Sequence, residues 1–524
     1  MTAGFSQDQR NTRGHRPRLQ DQGKVPMIEN SGFLERLDNL SDWLSPIVVK
    51  EVRQMVRGRE FNYSFGLSLI TGLTVAFFGA AGTWTGYRSG AWTVGWQIGC
   101  LTVLGLIVIP LATMGALRSE KSERTFDLIT LTILSPRRIV IGKLTAQGVK
   151  LVTLFAGAAP FIATGFLLGG IDFVTIIVSL TGLFLLSLWA CAACLFLSCL
   201  STSRAVSGLI YAAVGLVFLF LIGPGGNILR LLMFGPTFYA PGMGVTGFSL
   251  IASPGNPWWM FAIITSFCLM TIVNLVLLSE NRLTLPTENR MTALRIGFFL
   301  QFLLIVAWVV LAVYLIPGPT PAASGIDGLG VVAGLQLAAV ACFTVTEDLL
   351  LSRRMVLQSK SSRLRWLMPV LGPGGAAGAI YVLVQMALLL GIGQAIAPSE
   401  MRWLTAICGY ICFFTGVPVL AARVLAPRLQ AKQVRVAALL FFPVVMLLTD
   451  LVGYLASPGG FNFEYSRRHV LNPFRTLANW PVASQFHWDE FALAIGAIGF
   501  IVYLALIRMG WRANQEERNV PAVH

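Results

Sequence analysis

Twelve apolar runs, each roughly 18–25 residues long, recur along this 524-residue chain and decide what it can become. They fall near 63–82, 94–117, 146–168, 174–199, 206–222, 259–279, 295–316, 329–346, 377–397, 403–422, 436–456 and 490–509. As a helix, about 20 residues cross the ~30 Å hydrocarbon core of a bilayer. Hydrocarbon offers no hydrogen-bond partner to a bare backbone, so a chain can cross it only as helices or as a closed barrel. Barrel strands would need about ten residues of strict apolar–polar alternation, which these runs lack. The expected fold is therefore all-α: a polytopic membrane bundle of about twelve transmembrane helices. Composition agrees, since 12% charged residues stand against about 25% in a soluble domain.

Basic residues set the orientation. With both termini in the cytoplasm, Arg88, Arg230, Arg402, Arg467, Arg468 and Arg475 lie outside and the other 33 of 39 Lys and Arg lie inside. The reverse placement inverts that ratio, so the positive-inside rule predicts both ends in. The net charge of +15 then belongs to a face that meets anionic lipid, and nucleic acid is not an expected partner. No short apolar core with a cleavage site precedes the first run, so no secretory signal is expected. The polar stretch 1–43 reads as a disordered cytoplasmic tail, and 511–524 as a second tail. All eight cysteines fall in the apolar runs and do not describe a disulfide framework.

The loops repeat. The second and third runs of each half are separated by a long charged inner loop, Leu117–Thr145 and Glu347–Gly375. The fifth and sixth are separated by a long outer loop, Gly223–Trp258 and Ser457–Asp489. Ile133-Leu134-Ser135-Pro136-Arg137-Arg138 is echoed by Leu350-Leu351-Ser352-Arg353-Arg354. This predicts two six-helix units, 44–280 and 281–510.

Two segments of the first unit carry more than a membrane span requires. Residues 118–143 form a dense charged cluster with an amphipathic helical core. It opens on Arg118, Lys121, Glu123 and Arg124-Thr125-Phe126-Asp127-Leu128 and closes on Leu134-Ser135-Pro136. Asp127, Leu128, Leu131 and Leu134 share helical spacing, and the three leucines give an apolar stripe that a groove on a soluble partner could grip while the rim charges set its orientation. Residues 44–60 begin with Ser45-Pro46, a capping hydroxyl before a proline at the first helical position. Val48, Val49, Val52, Met55 and Val56 then line one face and Lys50, Arg53 and Arg57 another, the pattern of a helix lying on the inner leaflet.

Pro46 followed by Lys50-Glu51-Val52-Arg53 and a basic exit at Arg57, and then the charged segment 118–143, resemble in order the pre-span helix and coupling segment of type-2 ABC exporter permeases. The resemblance is specific over about 44–145, and the second half shares only the loop rhythm. It implies an exporter permease of the inner (plasma) membrane, moved by alternating access through a separate cytoplasmic ABC ATPase dimer that holds ATP-Mg. The permease would act either as one self-sufficient twelve-helix chain or as a homodimer among membrane lipids.

No G-x-x-x-x-G-K-[ST] motif occurs, so this chain itself is expected to bind no nucleotide cofactor and to be no ATPase. His469 and His487, with Glu464, Asp489 and Glu490, could form a metal or acid–base site in the last outer loop, although ordinary surface polar residues explain them as well. Cys191, Cys194 and Cys199 read as small packing residues rather than metal ligands, and no metal site is assigned. Asp450, an ionisable residue in the eleventh run, is a candidate substrate or proton contact. Two rival classes remain open: an ion-coupled secondary transporter with a 6+6 layout, and a membrane-embedded transferase. Almost no charges occur within the runs to couple ions, which counts against the first.

Overall fold

In the computed structural model the described residues are 46–83, 90–114, 136–169, 173–200, 257–284, 288–315, 321–349, 351, 354–355, 365–396, 398–427, 429–455 and 469–519. All regular structure among them is helical. The main helices are α1 (Pro46–Arg57), α2 (Arg59–Thr83), α3 (Gly90–Val103), α4 (Pro136–Leu167), α5 (Phe173–Leu200) and α6 (Pro257–Leu283). The second half follows with α7 (Thr292–Leu315), α8 (Pro321–Thr344), the short α9 (Met368–Leu371), α10 (Gly375–Ile396), α11 (Met401–Leu425) and α12 (Ala431–Leu455). Two short helices, α13 (Pro473–Ala478) and α14 (Trp480–Gln485), lead into α15 (Asp489–Asn519).

Ten of these helices are long and apolar enough to span a bilayer. They account for ten of the twelve runs. The eighth run lies on the 24-residue α8, whose apolar stretch is Gly330–Thr344. The fifth lies outside the described residues. Described residues therefore support a polytopic helical membrane protein with ten span-capable helices rather than the full count of twelve.

Three boundaries differ from expectation. The pre-span helix ends at Arg57, and Gly58 separates it from α2. The third span does not begin near 146: α4 starts at Pro136 and runs 32 residues, about 48 Å. Proline suits a first helical position and nothing from Arg137 to Leu144 breaks a helix, so the end of the charged segment is the first turns of the span itself. Likewise α15 continues through Asn519, taking up most of the expected tail. Both helices exceed the ~30 Å hydrocarbon core, so their ends project beyond it.

The second span, α3, widens into a π turn at Leu104–Val108, with the Ile109 N–H donating to the Leu104 carbonyl, before helix resumes to Met114. Pro110 follows at once. It has no N–H for the Leu106 carbonyl and its ring would crowd that oxygen, a conflict that a wider turn relieves. Pro160, Pro418 and Pro443 sit inside helices that run on through them.

Each half builds its own core. Val94, Ile98, Leu101, Leu151, Leu154 and Leu183 are buried together in the first, and Phe302, Leu337, Tyr381, Leu404 and Tyr503 in the second. The halves touch along α6 and α7, and also where Phe196 of α5 meets Phe343 of α8 edge-on, ring centroids 6.1 Å apart. Part of the packing repeats. In both halves the fourth span lies most extensively against the sixth (α5 on α6, α11 on α15) and the third touches the second, fourth and sixth, but α4 also packs extensively on the first span α2, whereas α10 touches α7 only slightly.

The α11–α15 contact depends on glycine. A Cβ on Gly409 would come within 2.5 Å of the Gly496 Cα, and a Cβ on Gly496 within 2.9 Å of the Gly409 Cα. Apolar side chains gain little by leaving lipid for a helix surface, so such interfaces rely on close backbone approach. Gly409→Leu should destabilise the purified protein by about 1–3 kcal/mol, the usual cost of overpacking. Gly391→Ala, inside α10 at a site with nothing within 4 Å, should not lower the melting temperature and should raise it slightly if anything, since Ala favours helix over Gly by about 0.5–1 kcal/mol.

Candidate functional site

Helix α1 is amphipathic, but its inward face is not given over to lipid. It packs on α4. Val48 is buried, Val49, Glu51 and Val52 are half-buried, and Lys50, Arg53, Gln54, Val56 and Arg57 are exposed. Glu51 stands one turn after Val48 on the inward side. Its Oε1 accepts a hydrogen bond from Lys143 Nζ at 2.8 Å, the two side chains being only 13% and 6% exposed. Lys143 lies in the projecting N-terminal turns of α4. The pair therefore fastens the pre-span helix to the helix that leaves the charged segment.

The second half has a clamp in the corresponding place. Arg295, in the first turn of α7, is fully buried. Its guanidinium donates to the carbonyls of Val370 (3.2 Å), Gly372 and Gly374 (2.9 Å), in the turn that precedes α10. Gly374 has φ +98°, a left-handed conformation that a side chain rarely adopts. Its N–H donates to Glu347 Oε2 at 3.3 Å. Thr292 Oγ1 donates to the Leu371 carbonyl at 2.9 Å and adds a second tie. Burial pushes the Glu347 carboxyl up, while Arg295, Arg290, the Gly374 N–H and Arg435 pull it down. From Arg295 the polar contacts run inward: Tyr381 OH donates to the Arg295 carbonyl (2.6 Å), and Gln385 Nε2 donates to Tyr381 OH (2.8 Å). Both halves thus fix the start of the first span, or the helix before it, to the start of the third.

Around Glu347 the same end of the bundle gathers further cations. Arg423 Nη2 donates to the Glu347 carbonyl (2.9 Å) and contacts Asp348 Oδ1 (3.3 Å). Arg435 donates to Thr346 Oγ1 (3.0 Å) and the Phe343 carbonyl (3.1 Å), with its guanidinium 5.2 Å from the Phe343 ring centroid. Asn514 of α15 joins the Leu349 carbonyl and the Leu351 N–H.

Of the residues singled out in the charged segment, Arg118, Lys121, Glu123, Arg124, Thr125, Phe126, Asp127, Leu128, Leu131, Leu134 and Ser135 lie outside the described residues, and Pro136 opens α4. Asp450 sits at the opposite end of the bundle. Its Oδ1 is held by Arg475 Nε and Asn472 Nδ2, each at 3.1 Å, and Asn472 also caps α13 by accepting from the Arg475 N–H. Asp450 therefore ties α12 to α13. His487 pairs with Glu490 at 3.4 Å, and buried Asp489 meets Arg402 at 2.9 Å, while Glu464 lies outside the described residues. Among the described residues no group of three or more His, Cys, Asp and Glu could hold a metal ion. Cys191, Cys194 and Cys199 are buried thiols.

Sequence reasoning missed several buried polar side chains inside the spans. Lys150 of α4 is 7% exposed. Asn274 of α6 donates to Gln301 of α7, and Gln336 of α8 donates to the Phe298 carbonyl at 2.7 Å. Each is a polar letter within an apolar run. A scan for charge away from the ends of the runs singles out Asp450 and passes over Lys150, which sits near the expected start of its span.

Comparison with protein-family models, curated proteins and solved structures gives no match.

The Glu51–Lys143 pair can be tested by itself. Removing one member of a largely desolvated pair strands the other, at a cost of about 3–5 kcal/mol. Glu51→Ala should lower stability by that order in a denaturation assay, and the exchange Glu51→Lys with Lys143→Glu should recover most of it.

Proposed function

We propose that this chain is the membrane-spanning permease subunit of an ABC exporter of the type-2 class, driven by a separate cytoplasmic ATPase dimer that binds ATP-Mg. The observation that carries the reading is the Glu51–Lys143 ion pair. The segment 118–143 gives a soluble partner a charged, amphipathic surface to grip. Its last turns belong to a continuous 32-residue helix, so displacement of the segment moves α4 as a rod. The ion pair passes the same displacement to α1, and from there to the first span. Because a ligand shifts an equilibrium only through differential binding, the ATP-closed partner must hold one orientation of this segment more tightly than the other.

The fourth-on-sixth pairing common to both halves and the paired clamps support two six-helix units within the chain. The distribution of Lys and Arg supports cytoplasmic termini in a plasma (inner) membrane. The substrate path would lie between the units. One observation favours a second reading, an ion-coupled carrier: Lys150, a buried ionisable group in a span, is a candidate coupling residue.

Affinity purification of the tagged protein in mild detergent separates the two. The permease reading expects a stoichiometric P-loop ATPase that is lost when Arg124→Glu and Asp127→Arg are combined, with membrane insertion intact. Normal association in that variant contradicts it, and a single-chain particle whose transport depends on Lys150 supports the carrier. Within the permease reading, Glu51→Ala should keep the ATPase bound but lower ATP-driven transport about tenfold, as expected when a coupling of roughly 1–3 kcal/mol is lost.

A further inference from the structure

Among the described residues, arginines at the end of α6, just before α7 and near the start of α12 outnumber the unengaged carboxylates around them. Arg282 lies in the last turn of α6, Arg290 in the connection to α7, and Arg435 near the start of α12. All three are half-buried, and they lie within Coulombic reach of one another and of Glu347. Arg435 is fixed by Thr346 and the Phe343 carbonyl and laid against the Phe343 ring. Arg282 and Arg290 make no hydrogen bond or ion pair with another described residue.

Most of the nearby carboxylates are already engaged. Glu347 accepts from the Gly374 N–H and faces buried Arg295, Asp348 meets Arg423, and Glu288 meets Arg354 at 3.6 Å; Glu280, two residues before Arg282, lies within Coulombic reach of Arg137 instead. The connections of this half add none: residues 349–375 hold no Asp or Glu but include Arg353, Arg354, Lys360, Arg363 and Arg365. Residues 284–287 and 426–430 add only Glu-free, Asp-free sequence. Collecting positive charge on one side of a membrane protein follows from topology alone. Half-burying three guanidiniums in one neighbourhood does not, because like charges repel more strongly as water is withdrawn; Asn281 Nδ2 donating to Met291 Sδ at 3.0 Å brings the chain at Arg282 beside that at Arg290.

We propose that Arg282, Arg290 and Arg435 form a binding site for a phosphate group, supplied by the headgroup of an anionic phospholipid. A guanidinium fork matches two phosphate oxygens, and three forks whose neighbouring carboxylates face other cations leave net positive charge for an anion to neutralise. All the contributing helix ends lie where spans terminate, the level at which lipid headgroups sit. This assignment stands independently of any ATPase partner.

The test uses the full chain purified in detergent, its lipid retention read by native mass spectrometry and its melting temperature by a thermal shift. The additions are phosphatidylglycerol, phosphatidylcholine, or millimolar inorganic phosphate. The site predicts that phosphatidylglycerol is retained and raises the melting temperature, that phosphatidylcholine does neither, and that R282Q/R290Q weakens retention at least about tenfold. Lys432→Gln, an exposed charge one turn before Arg435, should change nothing. Stabilisation by inorganic phosphate that R282Q/R290Q abolishes would keep the site and make free phosphate its source. Equal retention of both lipids, or retention unchanged in R282Q/R290Q, would overturn it. If the double variant does not fold, R282Q alone serves, and unchanged retention there overturns the site equally.

Discussion

Hydrocarbon gives a polar group nothing to bond to, and the structure follows from that absence. The described spans close most of their backbone hydrogen bonds within a helix, and several polar side chains at membrane depth find partners on a neighbouring helix. Arg295 shows how far this goes. A fully buried guanidinium is tolerated because three carbonyls of the Val370–Gly374 turn converge on it. That turn supplies the carbonyls because its glycines let the backbone fold around the side chain. The same rule pairs Asn274 with Gln301 and hangs Gln385 on Tyr381. In a soluble core such contacts would compete with water; here they decide which helices lie side by side.

The two clamps are chemically different and mechanically alike. Glu51–Lys143 is an ion pair between side chains, whereas Arg295 grips backbone. Each joins the approach to a first span with the approach to a third, at the arginine-rich end of the bundle. On the proposed reading, a charged segment ahead of α4 would have two routes into the membrane, the rigid helix and the side-chain tie. Asp450 plays no part in either route, because at the far end of the bundle it holds a helix cap in place.

Much of the architecture could be read from the sequence, because run length measured against bilayer thickness is a strong physical constraint. Ten spans fall where the runs predict. Boundaries were harder. Pro136–Leu144 is charged and looks like loop, yet helix propensity continues through it, and hydropathy alone cannot distinguish a projecting helix from a connection. Partners were harder still. The Val48 stripe suggested lipid, whereas Glu51 on the same side reaches Lys143, 92 residues away, a pairing no local pattern encodes. Arg295 reads as a charge flanking a span, and only the fold brings the glycine turn to it. Eleven of the twelve residues picked out in the charged segment lie outside the described structure, so the docking surface itself still rests on its sequence pattern.

A soluble ATPase docked on the charged segment, as proposed, would lie against Asp127. A photo-crosslinking amino acid at position 127 in the full chain, activated in intact cells, should capture a P-loop ATPase as its principal adduct, with the same substitution at Trp366 on the second inner loop as a positional comparison. Efficient capture at 127 of lipid alone, or of other segments of this same chain, would rule that docking out.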